Sequence, residues 1–172
     1  MGANQQGANA THGRWLTIPR TLCFVQNGND ILLMKRASHK RVFPNQYNGL
    51  GGHIERHEDP LTGAIREIKE ESGLDVHTIR LCSVHNIDAG AETGIVLFVY
   101  LAQSDSRDFI DDGREGTLEW IAINQLNNYD LVEDLPIILP KILELSDNDS
   151  AYSVHVSYDT NDDIQMRFVV EK

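Results

Sequence analysis

Glu67, Glu70 and Glu71 lie close together in a segment that reads as a helix. On a wheel of about 100° per residue with Leu61 at zero, they fall at about 240°, 180° and 280°, so three carboxylates share one side. Leu61, Ala64, Ile65 and Ile68 recur at i, i+3, i+4 and i+7 and predict one buried stripe beside them. Glu67 and Glu71 form a like-charge i, i+4 pair, which costs a few tenths of a kcal/mol or more if covered. Only Arg66 and Lys69 are near enough in sequence to offset it. Hard oxygen ligands gathered this way suit Mg²⁺ or Mn²⁺. Taken alone, such a cluster reads first as a solvated acidic face.

The flanking residues change that reading. From Gly52 the order is five residues, Glu58, seven residues, Arg66-Glu67-Ile68, Lys69, Glu70-Glu71, Ser72, Gly73-Leu74. This resembles the Nudix box, GX5EX7REUXEEXGU with U aliphatic, at every specified position. Chance would produce it in well under roughly one in a million chains of this size. The resemblance implies an α/β fold of Nudix type: an α/β/α sandwich around a mixed β-sheet, with the box as loop–helix–loop. It also implies hydrolysis of a nucleoside diphosphate linked to another group, with Mg²⁺ or Mn²⁺. Position by position, Glu67, Glu70 and Glu71 look like metal ligands, as does the Gly51 carbonyl just before the box. Gly52, Glu58 and Gly73 look structural, and Arg66 looks like the group that orients the glutamates.

Physical chemistry agrees with such roles. A diphosphate linkage is anionic, as is this chain, so metal ions must neutralise the substrate and acidify a bound water. Glu115, five residues before Trp120, is the candidate general base or further metal ligand, against a plain surface glutamate. Glu70 is the fallback base. Lys35, Arg36, Lys40 and Arg41 are basic groups that either meet phosphate or sit in a solvated loop. Among Nudix subgroups the chain is most similar to MutT-like enzymes that act on oxidised purine triphosphates such as 8-oxo-dGTP. Tyr47-Asn48-Gly49-Leu50-Gly51-Gly52 matches that subgroup's approach to the box, where the Asn reads the base. Glu133-Asp134 resembles an acidic pair that reads a purine edge, in competition with Asp134 as a helix cap. His53 and His57 depart from common MutT-like residues at free positions of the motif. Two other substrates remain open, ADP-ribose and a dinucleoside polyphosphate, as does a non-catalytic nucleotide-binding regulator. The retained glutamates weigh against the regulator.

These residues need a scaffold. Asp59 is a suitable N-cap, Pro60 a first helical residue and Gly73 a stop. Leu22–Val25 and Ile31–Met34 read as a hairpin around Asn27-Gly28. Val76–Val84, Ile95–Leu101 and Trp120–Ile123 read as strands. Leu135–Leu145 reads as a helix capped by Asp134, which Pro140 kinks or splits. The alternating runs from Tyr152 to Tyr158 and from Ile164 to Val170 predict a C-terminal β-hairpin, either completing the sheet or shaping a dimer. Residues 1–13 read as a disordered tail. Residues 14–172 read as a single domain with 147–172 as its hairpin extension.

The chain has 172 residues, 26 acidic and 15 basic, for a formal charge of −11. That charge argues against a general grip on nucleic acid or an anionic membrane. No apolar run approaches the roughly 20 residues of a membrane span, and residues 1–14 lack the apolar core of a secretory signal. Cys23 and Cys82 read as half-buried reduced thiols. The seven His form no spaced ligand set, and His77, His85 and His155 read as surface or strand residues. A cytoplasmic monomer or homodimer acting on a small nucleotide is expected.

Overall fold

The computed structural model describes residues 5–8, 11–111 and 113–169. Its strands are β1 (Leu16–Asn27), β2 (Asp30–Arg36), β3 (Tyr47–Asn48), β4 (His77–Ile87), β5 (Thr93–Gln103), β6 (Gly116–Ala122), β7 (Tyr152–Tyr158) and β8 (Ile164–Val169). Its helices are α1 (Pro60–Ser72) and α2 (Leu135–Glu144), with a 3-10 turn at Ile123–Asn128. The strands form one mixed sheet in the order β3-β2-β1-β5-β4-β7-β8, with β6 on the second edge of β2. β1 and β5 run parallel, as do β4 and β7.

Alternation along β1 explains the two layers. Cys23 and Val25 point to one face and pack with Ala64 and Ile68 of α1. Leu22 and Phe24 point to the other and pack with Ile138, Leu139 and Ile142 of α2. A helix covers each face, so the central strands read as nearly continuous apolar runs. Among the described residues no helix is long and apolar enough to cross a membrane.

The β1–β2 hairpin closes at Gly28, whose φ of +60° suits the tight turn. β2 pairs β1 only over Val25–Asn27. The upstream edge of β1 is thereby left for the glycine-rich segment, whose Leu50 and Gly52 carbonyls accept from Cys23 N and Thr21 N. The C-terminal hairpin completes the sheet, since β7 docks beside β4 and β8 forms the edge. Residues 1–4 and 9–10 of the expected tail, and residues 170–172 of the hairpin extension, lie outside the described residues.

Several expectations need correction. Leu61 and Ile65 are 41% and 44% exposed; Gly63, Ala64, Ile68 and Ser72 are the buried residues of α1. The buried side of α1 is thus rotated toward the glutamates, because small Gly63 and Ala64 permit the close approach. Asp134 adopts helical φ and ψ and makes no side-chain cap bond. α2 runs through Pro140 without a break. The strand expected at Trp120–Ile123 starts at Gly116 and ends at Ala122. Both cysteines are fully buried and unpaired, and burial pushes the Cys23 thiol up to about 12. His85 lies in β4 but is completely buried, with Nε2 2.8 Å from Ser83 Oγ.

Candidate active site

Asp59 starts α1 by accepting from Leu61 N and Thr62 N at 2.9 and 3.0 Å. Gly73 ends it at φ +72°, with its N–H on the Lys69 carbonyl. Between these limits the box residues form one polar network centred on Arg66. Its guanidinium donates to both Glu58 oxygens, at 2.7 and 3.1 Å, and to Glu67 Oε1 at 2.9 Å. It also donates to Glu70 Oε2 at 3.0 Å and to the His53 carbonyl at 3.1 Å. The forked contact holds the Glu58 carboxyl down at about 2. Lys69 turns away to the Gly73 carbonyl and Asp75, so of the two basic residues of α1 it is Arg66 that pairs with Glu67 and Glu70.

Glu71 has a different partner. Leu50 and Gly52 point their carbonyls at β1, and the intervening Gly51 turns its N–H to Glu71 Oε2 at 2.8 Å. Gly51 has φ +133°, and a Cβ there would lie 2.3 Å from the Thr21 carbonyl oxygen, so only glycine fits. Burial pushes the Glu71 carboxyl up to about 7; the Gly51 N–H and Arg36 oppose this, while Glu67 and Glu115 add to it. Burial also raises Glu67, against the pull of Arg66.

A cleft of about 450 Å³ opens over these groups. Gly51, Gly52, Arg66, Glu67, Glu70 and Glu71 line one side, and Asp111, Arg114 and Glu115 the other. Six carboxylates line it, those of Glu55, Glu67, Glu70, Glu71, Asp111 and Glu115, against the two guanidiniums of Arg66 and Arg114. Among the described residues no three His, Cys, Asp or Glu side chains converge on one point, because Arg66 draws Glu67 and Glu70 to itself. The donors nevertheless fit a divalent cation: they are oxygens, and the cleft carries excess negative charge, which adds to the effect of burial in raising Glu71.

The structure thus brings Gly51, Gly52, Glu67, Glu70, Glu71, Arg66 and Glu115 together, with Glu58 behind Arg66. Glu115 forms an ion pair with Lys40 across the two loops. Lys35 lies over the Tyr47 ring, and Arg36 Nε donates to the Val42 carbonyl, so neither lines the cleft wall. Asn48 accepts from its neighbour Gly49 N. Glu133 and Asp134 follow Val132, whose N–H bonds the Tyr47 carbonyl, so they approach the Asn48 segment along the chain. Burial pushes the Asp134 carboxyl up to about 6. Trp120 lies on the α1 face, stacked by Arg107 and donating to its carbonyl. Sequence reasoning missed Asp111 and Arg114 as lining residues; their signal was the turn that precedes Glu115, in which Asp111 accepts from Gly113 N and Leu118 N.

Residues 16–142 match the NUDIX domain. The chain belongs to the Nudix family. A 60-residue segment is 42% identical to the m7GpppN-mRNA hydrolase NUDT17 of Danio rerio, covering 34% of this chain and 20% of that protein. The chain therefore spans about a fifth of the length of the first curated Nudix relatives it matches. The nucleoside triphosphatase NudI of Enterobacter sp. (strain 638) is 29% identical over 119 residues, covering 63% of this chain and 84% of that one. The structure of a MutT protein from Bacillus halodurans superposes with a TM-score of 0.74 and 21% identity over 90% of this chain and 99% of that one. The shared feature there is the Nudix fold. β7 and β8 lie beyond the matched Nudix segment.

Proposed function

We propose that the cleft hydrolyses a nucleoside diphosphate linkage, with a nucleoside triphosphate as substrate and nucleoside monophosphate and pyrophosphate as products. An oxidised purine triphosphate such as 8-oxo-dGTP is the first candidate. The observation that carries the reading is the gathering of Gly51, the box glutamates and Glu115 from separate segments around one acidic cleft. Glu67, Glu70, Glu71, Glu115 and the Gly51 carbonyl would hold Mg²⁺, or Mn²⁺ in its place. When bound, the ion supplies charge neutralisation of the phosphates and acidification of a water.

The protein's own groups do the positioning. Arg66 fixes Glu67 and Glu70, and Glu58 fixes Arg66, so the carboxylates are set before substrate arrives. The Glu115 carboxylate, steadied by Lys40, accepts the proton of the attacking water; Glu70 is the alternative acceptor. Lys35, Arg36 and Asn48 approach the nucleotide from β2 and β3, and Glu133 and Asp134 from the head of α2. A small nucleotide in the cytoplasm is the expected setting, and the charge of −11 disfavours long nucleic acid.

The segment shared with the m7GpppN-mRNA hydrolase favours a second reading, a linkage with a nucleoside on each side, as in a dinucleoside polyphosphate. One assay separates them. The protein is incubated with Mg²⁺ or Mn²⁺ and 8-oxo-dGTP, the four dNTPs, ADP-ribose or a diadenosine polyphosphate, and products are resolved by chromatography. Conversion of triphosphates to monophosphate and pyrophosphate supports the first reading. Preference for a substrate with two bulky ends supports the second, and silence throughout refutes both.

A further inference from the structure

A strand at the end of a sheet carries a row of main-chain groups without a partner, and proteins usually cover or blunt such an edge. The edge of β3 is covered: Tyr47 N donates to the Asp130 carbonyl, and Val132 N to the Tyr47 carbonyl. On β6, the Asp111 carboxylate accepts from Leu118 N. β8 has no such cover among the described residues and pairs with β7 alone. Nor is it blunted in the usual ways. It holds no proline and one charged residue, Arg167, and its register with β7 runs unbroken through six pairs.

Two hydrogen bonds fix which groups of β8 face outward. Asp159 N donates to the Asp163 carbonyl, so Asp159 and Asp163 form a hydrogen-bonded pair of the ladder. Such pairs alternate along antiparallel strands. Gln165, Arg167 and Val169 therefore bond β7, while Ile164, Met166 and Phe168 turn their N–H and C=O groups away from it. The second bond agrees: the Val156 carbonyl accepts from Asp88 N on the β4 side, so Val156 does not bond Met166 opposite it. Side chains alternate as well. Met166 and Phe168 pack on the α2 core, while Asp163, Gln165, Arg167 and Val169 are exposed on the other face. Among the described residues the Arg167 guanidinium and the Asp163 carboxylate have no hydrogen bond or ion pair. Four residues apart on an extended strand, they lie about 13 Å from each other, too far to pair within one copy.

We propose that β8 pairs antiparallel with β8 of a second copy of this chain, about a two-fold axis at Gln165, and so joins two sheets into one. Charge selects both the occupant and the register. With the axis at Gln165, Arg167 of each copy stands opposite Asp163 of the other, at a non-hydrogen-bonded position where side chains come closest. Ile164 and Met166 of the two copies then exchange main-chain hydrogen bonds. An axis at Arg167 would set two guanidiniums against each other, and one at Met166 would put Arg167 opposite Gln165. Two chains of −11 repel one another at long range, and the two Asp163–Arg167 pairs supply attraction at the strand edge itself. β8 lies toward the other end of the sheet from β2 and β6, whose Met34 and Gly116 line the cleft, so both clefts stay open. The inference stands apart from the hydrolysis reading.

A pair of six-residue strands is small beside the roughly 1,600 Å² of a stable interface, so a dimer that dissociates in the micromolar range is expected. The test is sedimentation velocity of the full chain across that range at low salt. The proteins are the wild type, Arg167→Glu, Asp163→Lys and the variant with both changes, each checked for folding by thermal melting. Both positions are exposed, so the variants should fold. The wild type is expected to pass from monomer to dimer as concentration rises. Each single variant sets like charges opposite each other twice and is expected to dimerise about tenfold more weakly or worse. The double variant restores opposite charges and is expected to return to within about threefold of the wild type. A wild type that stays monomeric throughout overturns the proposal. So does a dimer that the single variants leave unchanged, or one that the double variant fails to restore.

Discussion

Replacing Gly52 by Ala should damage catalysis while sparing the fold. A Cβ at Gly52 would lie 2.6 Å from Glu67 Oε1 and 2.8 Å from its Cδ. The obstacle is the far end of a side chain, so the backbone need not move. The carboxylate must retreat about 0.8 Å to reach an ordinary 3.4 Å contact, straining its 2.9 Å bond to Arg66 Nη1. A misplacement near 1 Å at a reacting centre costs on the order of 10²-fold. We expect kcat/KM on the preferred nucleotide to fall roughly 10- to 100-fold, with Tm moving by less than about 4 °C. Gly51→Ala is the contrast: its Cβ would meet the Thr21 carbonyl at 2.3 Å, and φ is +133°, so that variant should lose the fold. The assay pairs steady-state kinetics with thermal melting. A well-folded Gly52→Ala protein with wild-type kcat/KM would refute the reasoning that Glu67 must be placed to within a fraction of an ångström.

Other outcomes follow from the same geometry. Burial lowers His85 from 6.5 to about 4, so the unfolded chain takes up this proton first as pH falls. Stability should therefore drop by up to about 3 kcal/mol between pH 6.5 and 4 from this group, and His85→Gln should flatten that part of the curve in urea titrations. Lys40 and Glu115 form a part-exposed pair, so Lys40→Ala should cost less than about 1 kcal/mol in the same titrations. Glu115→Gln should lower kcat with stability retained; unchanged kcat would assign the proton to Glu70.

The box was legible because each of its residues has a local reason. Asp59, Pro60 and Gly73 fix where α1 begins and ends, and the spacing of Glu58, Arg66, Glu67 and Glu70 lets one guanidinium hold three carboxylates. The β1–β2 hairpin was legible from Gly28 for the same reason. Long-range pairing was not. The parallel docking of β7 on β4 joins segments far apart in the chain, and no local pattern announces it. The rotation of α1, which exposes Leu61 and Ile65, depends on how closely Gly63 and Ala64 approach their neighbours. Asp134 looked like a cap because its residue type favours one; its helical backbone leaves the carboxylate without that role. Asp111 and Arg114 reach the cleft only through a loop whose path tertiary packing sets.

Glu71 is where the account meets its most direct measurement. Its carboxylate is half-buried, bonded to Gly51 N and pushed up to about 7, so Glu71→Gln keeps the shape and removes the charge. The variant and the wild type should be compared for hydrolysis of the preferred nucleotide at saturating Mg²⁺, with circular dichroism as the folding control. A folded Glu71→Gln protein with turnover reduced at least 10²-fold is the predicted result. A folded variant that turns over like the wild type would show that the cleft on α1 is not where the chemistry occurs.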